Sequence, residues 1–161
     1  GIDFSSGSLG NGISVAAGMA YAFKADKKKN KVFALIGDGE CDEGIVWETA
    51  LFAGHHKLDN LFVIIDYNKL QGFGSTDKIL NLEPLKPKFE SFNWNVIQTD
   101  GHNILEILRS LKLLNNKKKR PNLLIANTIK GKGVKFMENK FESHYEVLNE
   151  KKYNISIKNL N

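Results

Sequence analysis

Ile36-Gly37-Asp38-Gly39-Glu40-Cys41-Asp42-Glu43-Gly44 follows the apolar run Val32-Phe33-Ala34-Leu35-Ile36 and precedes a helical pattern over 45–56. A strand that feeds a glycine-flanked acid and then a helix is where open α/β sheets place ligand chemistry. Gly37 and Gly39 permit a tight turn and close approach of backbone to a ligand. Asp38 supplies a hard carboxylate at that point.

A second apolar run, Leu61-Phe62-Val63-Ile64-Ile65-Asp66, leads into Tyr67-Asn68-Lys69-Leu70-Gln71-Gly72. If the two runs are neighbouring parallel strands, both tails open on one edge of the sheet. Asp38, the Asn68 amide oxygen and a carbonyl near Leu70 then converge on one cation. Such oxygen donors suit Mg²⁺ or Ca²⁺ rather than zinc. They do not fill an octahedron, and Mg²⁺ commonly takes its remaining ligands from water and phosphate oxygens. The site therefore asks for a phosphorylated ligand.

The rest of the chain reads as strands alternating with helices. The spacing predicts a helix over 13–24 (Val15, Ala16, Met19, Ala20, Phe23), a strand over 32–36, and a helix over 44–56 with Trp47, Leu51 and Phe52 on its apolar face. Strands follow over 61–66, 94–97 and 122–129. The last is continuously apolar, as buried parallel strands are. A short helix is expected over 85–92. Another is expected over 103–115, capped within Asp100-Gly101-His102-Asn103 and facing the core through Ile104, Leu105, Ile107, Leu108 and Leu111. Residues 71–90 otherwise read as irregular, and the tail beyond 148 as polar and weakly ordered. The expected fold class is α/β, a mostly parallel sheet with helices on both faces.

Bulk properties narrow the class. With 161 residues, the chain can build one core. No apolar run approaches the ~20 residues of a membrane span. One cysteine, Cys41, excludes an internal disulfide and suits a reducing, cytoplasmic setting. The net charge of +5 favours anionic ligands without choosing among them. Lys27-Lys28-Lys29 and Lys117-Lys118-Lys119-Arg120 fall between helix and strand and read as solvated connections. A nucleic-acid surface would want interleaved aromatics or a recognisable module.

Gly-Asp-Gly followed at this distance by Asn resembles the thiamine diphosphate motif. The form Gly-Asp-Gly-Glu-x-x-Glu-Gly-x-x-Trp-Glu resembles the transketolase family in particular. Gly7-Ser8-Leu9-Gly10-Asn11-Gly12, Asn68-Lys69-Leu70 and Thr128-Ile129-Lys130-Gly131-Lys132-Gly133 resemble it too, in the same order.

The resemblance implies the diphosphate-binding domain of the thiamine diphosphate fold. It implies thiamine diphosphate and Mg²⁺ as cofactors, with Ca²⁺ or Mn²⁺ as substitutes. Asp38, Asn68 and the Leu70 carbonyl would ligate the metal. Gly7, Ser8 and Leu9 would line the cofactor rings, while Gly37, Asp38, Gly39, Asn68, Lys130 and His144 would lie at its diphosphate side. Glu43 and His144 would be the catalytic contributors, Glu43 at a subunit interface. The family reads Trp-His-Gly where this chain has Ser143-His144-Tyr145. Glu40 and Asp42 are read as an acidic first helical turn, favourable with the helix dipole.

The implied reaction passes a two-carbon ketol unit from a ketose phosphate to an aldose phosphate. A pyrimidine-binding domain supplies the activating glutamate in this family. The expectation is one domain over 1–161, cut short at its N-terminus and lacking that domain, acting in a homo- or hetero-oligomer with a pyrimidine-binding partner chain. Neither a nucleic acid nor a membrane is expected as partner. The rival readings are another thiamine diphosphate enzyme (a 2-oxoacid dehydrogenase subunit or deoxyxylulose phosphate synthase) and a non-catalytic or decayed assembly subunit.

Overall fold

The computed structural model describes residues 1–116 and 119–160. The elements run α1 (Asn11–Ala25), β1 (Val32–Gly37), a 3₁₀ turn (Asp38–Asp42), α2 (Gly44–His55), β2 (Leu61–Tyr67), β3 (Leu70–Gln71), β4 (Gly74–Ser75) and α3 (Thr76–Ile79). They continue with α4 (Leu85–Ser91), β5 (Asn95–Asp100), α5 (Ile104–Asn115), β6 (Asn122–Asn127), a second 3₁₀ turn (Phe141–His144) and α6 (Glu150–Leu160). The main sheet has four strands in the order β1-β2-β6-β5, and every pairing in it is parallel. β3 and β4 form a small antiparallel hairpin.

Alternation along the strands divides the core in two. Val32, Ala34 and Ile36 of β1 join Val63, Ile65, Leu123 and Ile125 beneath α1, α2 and α4. Small residues set this packing. Ala16, Ala17 and Ala20 of α1 are buried, as are Ala50, Ala53 and Gly54 of α2. A methyl on Gly54 would lie 1.9 Å from the Phe92 carbonyl oxygen, so the α2 backbone meets the end of α4 directly. Phe62 and Leu124 face the other way, against Ile107, Leu111 and Leu114 of α5. The sheet is thus parallel with helices on both faces, as the sequence predicts.

Two expected helix faces and the expected tail differ. Leu51 and Phe52 of α2 are exposed, because the small-residue stripe takes the inner face; Phe52 lies instead against Tyr21 and His56. Ile104, Leu105 and Leu108 of α5 are exposed too. The helix meets the narrow sheet only along the stripe that runs through Ile107, Leu111 and Leu114. The tail forms α6 rather than an unstructured end: Asn149 Oδ1 accepts the Lys152 N–H at 2.9 Å, and Ser156 is buried. Lys27, Lys28 and Lys29 are solvated as expected, whereas Lys117 and Lys118 of the second basic run lie outside the described residues.

Candidate functional site

β1 and β2 pair in parallel with Gly37 opposite Asp66, so their tails leave the sheet at the same level. Asp38 begins its 3₁₀ turn there with 1% of its surface exposed. Its Oδ1 accepts the Gly39 N–H at 2.9 Å, and its Oδ2 accepts the Lys69 N–H at 2.6 Å. Asn68 Oδ1 accepts the Leu70 N–H at 2.9 Å, which folds the chain back into the β3–β4 hairpin. Lys69 takes a positive φ of 63° at that bend. The Asp38 and Asn68 turns are therefore joined through one backbone amide.

Burial pushes the Asp38 carboxyl up to about 6, against the opposing pull of the Lys69 and Gly39 amides, with nearby Asp66 adding to the rise. A desolvated carboxylate invites a cation, which would restore the solvation that burial removes, and the Asn68 amide oxygen accepts from the very next backbone amide after Lys69. Each accepting oxygen retains a second lone pair. Among the described residues, no group of three or more His, Cys, Asp or Glu side chains could hold a metal ion. A mixed donor set of carboxylate, amide and carbonyl oxygens fits a hard divalent ion with phosphate ligands. The residues present therefore fit the metal–diphosphate pair that the sequence resemblance implies.

The 7–10 loop reaches this edge. Gly7, Ser8 and Leu9 are exposed, and Gly10 is buried at a φ of 77°. A methyl on Gly10 would come within 2.6 Å of Ile45 Cγ2. Glu40 ties the loop down: its Oε2 accepts the Gly10 N–H at 2.8 Å and its Oε1 accepts the Gly37 N–H at 3.0 Å. Glu40 does lie in a first helical turn, but that of the short 3₁₀ helix rather than of α2, whereas Asp42 ends the 3₁₀ helix and α2 has no acid in its first turn, so the helical-turn reading of Asp42 needs correction. Asp42 accepts from Gln71 Nε2 at 2.8 Å, linking the turn to β3. Gly10 and Gln71 are both far from these acids in sequence, so only the three-dimensional structure reveals the pairings. Glu43, between the turn and α2, is exposed.

Lys130 and His144 come together, with 3.4 Å between Nζ and Nδ1. They sit beside the hairpin that carries Leu70: a methyl on Gly72 would lie 3.9 Å from His144 Cδ2 and 2.4 Å from Tyr145 Oη. His102 does not cap α5; Asn103 does, accepting from Leu105 and Glu106. Instead, His102 Nε2 accepts the Ile129 N–H at 2.8 Å, next to Lys130. Cys41 is buried, and its thiol is pushed up to about 12, mainly by desolvation, which leaves it without nucleophilic character.

The sequence profile described as "Transketolase, thiamine diphosphate binding domain" matches residues 1–160. The 6-deoxy-6-sulfo-D-fructose transketolase subunit of Clostridium sp. (strain MSTE9) is 44% identical over 99% of this chain and 58% of its own length. An apulose-4-phosphate transketolase subunit of Phocaeicola vulgatus is 39% identical over 98% of this chain and 56% of its own length. The chain thus spans a little over half of these curated relatives. The crystal structure of transketolase from Campylobacter jejuni superposes with a TM-score of 0.93 at 32% identity, covering 99% of this chain and 26% of that one. With a profile matched from end to end and a fold shared almost throughout, the chain belongs to the thiamine diphosphate binding domain family of the transketolases.

Proposed function

We propose that this chain is the diphosphate- and metal-binding part of a thiamine-diphosphate-dependent transketolase. It would pass a two-carbon ketol unit from a ketose phosphate to an aldose phosphate, together with a pyrimidine-binding partner. The carrying observation is the Lys69 N–H held by Asp38, which brings the buried carboxylate and the Asn68 turn to one sheet edge. Asp38, Asn68 and the Leu70 carbonyl would hold Mg²⁺, with Ca²⁺ or Mn²⁺ as substitutes. When bound, thiamine diphosphate supplies the nucleophilic carbon for breaking and making the carbon–carbon bond.

This chain's residues bind and orient. The Gly37 and Gly39 turn allows close approach at the diphosphate side; the Gly39 N–H, now donated to Asp38, is the group an arriving phosphate oxygen would compete for. Lys130 would place positive charge there, with His144 beside it as a hydrogen-bonding group. Gly7, Ser8 and Leu9 would line the ring side. Exposed Glu43 is free to meet the partner's activating carboxylate across an interface. One relative is named for a sulfonated ketose and another for a phosphorylated sugar, which supports an anionic sugar as the substrate class. The buried thiol of Cys41 suits a reducing compartment, and we assign the protein to the cytoplasm. No helix among the described residues is long and apolar enough to cross a membrane.

Titrating thiamine diphosphate with and without Mg²⁺, against the parent chain and Asp38→Ala, tests the reading. Metal-dependent binding is expected in the parent and lost in the variant. Ketol transfer, from a panel of ketose phosphates and a sulfonated ketose, is expected only with a pyrimidine-binding partner chain. Full turnover by the chain alone would overturn the partner requirement. Failure to bind the cofactor even with the partner present would favour a non-catalytic assembly role. Turnover of pyruvate in place of ketoses would favour another thiamine enzyme.

A further inference from the structure

Among the described residues, Glu40 is the one side chain that grips both backbone segments flanking the proposed cofactor cleft. Its two carboxylate oxygens accept the Gly10 N–H at 2.8 Å and the Gly37 N–H at 3.0 Å. Gly10 ends the loop that would line the cofactor rings, and Gly37 immediately precedes Asp38, on the diphosphate side. The carboxylate is half-buried and Gly10 is buried, so both bonds are partly shielded from water. A carboxylate accepting backbone amides makes stronger bonds than a neutral acceptor does. A Cβ at Gly10 would meet Ile45, Glu43 and Val46, and its φ is 77°, so only a glycine lets this loop come close enough to α2 for its N–H to reach Glu40.

We propose that Glu40 is a positioning residue that sets the spacing between the ring-side loop and the diphosphate-side turn, so that a ligand spanning both finds them already in place. The proposal rests on the cofactor reading above. It gives Glu40 no contact with substrate or cofactor; Glu40 acts through the two glycine amides.

The geometry predicts an uneven response to Glu40→Gln. A glutamine keeps one acceptor oxygen and presents an N–H₂ where the other oxygen was. The Gly37 bond closes a very short loop and is the cheaper to retain, so the Gly10 bond is the one lost. Amide hydrogen exchange at Gly10 should accelerate about tenfold or more, the scale of one charge-assisted hydrogen bond. Core amides such as Val63 and Ile125 should keep their protection. The dissociation constant of Mg²⁺–thiamine diphosphate should rise about tenfold, again the scale of one such bond. That of Mg²⁺–pyrophosphate, which needs only the diphosphate side, should stay level or fall, since one negative charge has gone. Glu40→Asp, a methylene too short to span both amides, should give the same split.

Unchanged exchange at Gly10, or equal weakening of the two ligands, would overturn the proposal. So would loss of protection across the core, which would make Glu40 merely a fold-stabilising residue. A parent chain that binds neither ligand would overturn the cofactor reading and with it the positioning role, whereas Gly10 exchange would still decide whether the clamp exists.

Discussion

Asp38 is a carboxylate that the fold withholds from water. Unfolded, it titrates near 3.8; folded, burial moves it to about 6. The folded chain thus holds this proton more tightly than the unfolded chain. Its contribution to stability is fullest below the unfolded value and is lost as pH rises through the folded one. In the metal-free chain, the parent should gain stability relative to Asp38→Ala as pH falls from about 7 to about 4, by up to ~3 kcal/mol. Thermal melts of both proteins across that range would show it in the slope, whatever the fixed offset between them. A flat difference would mean that Asp38 is not desolvated. A bound divalent cation should reverse the slope, because it favours the ionised form. Asp38 and Asn68 were legible in the sequence because each stands immediately beyond an apolar strand. Glu40 was not: its neighbours in sequence suggested a helix dipole, and its partner Gly10 is brought in by tertiary folding.

Among the elements, β1, β2 and β6 were the most legible, since each is a short continuous apolar run of the kind buried parallel strands show; the β3–β4 hairpin, with no apolar run, fell largely in a stretch that reads as irregular. Helix faces were less so. The periodicity of α5 marks Ile104, Leu105 and Leu108 as apolar, but it does not tell which apolar residues meet the sheet and which stay exposed. In α2 the deciding residues were the small ones, which a search for bulky apolar positions passes over. For α6 the usable signal was Asn149, a helix-starting residue ahead of an otherwise polar stretch. The α2–α4 contact carries its own prediction. Gly54→Ala places a methyl 1.9 Å from the Phe92 carbonyl oxygen, and backbone must move to admit it. We expect a loss of about 1–3 kcal/mol or more, the usual cost of overpacking a core. Urea unfolding would measure it, and a neutral result would show that α4 can slide on α2.

At the scale of the molecule, the parallel pairing of β1 with β2 works as a ruler. Gly37 stands opposite Asp66, so the separation between the two turns is counted out in residues along two strands rather than left to the loops. Lengthening β2 by one residue between Phe62 and Ile65 would advance Asn68 by ~3.3 Å and swing everything after it to the other face. The Lys69 amide would then lose Asp38 and exchange freely with solvent. The same insertion beside Lys28, at the opposite end of the sheet, should leave that amide protected. The two ends of this molecule therefore differ in how much change they can absorb. One is free to lengthen and drift, while the other is fixed in residue number.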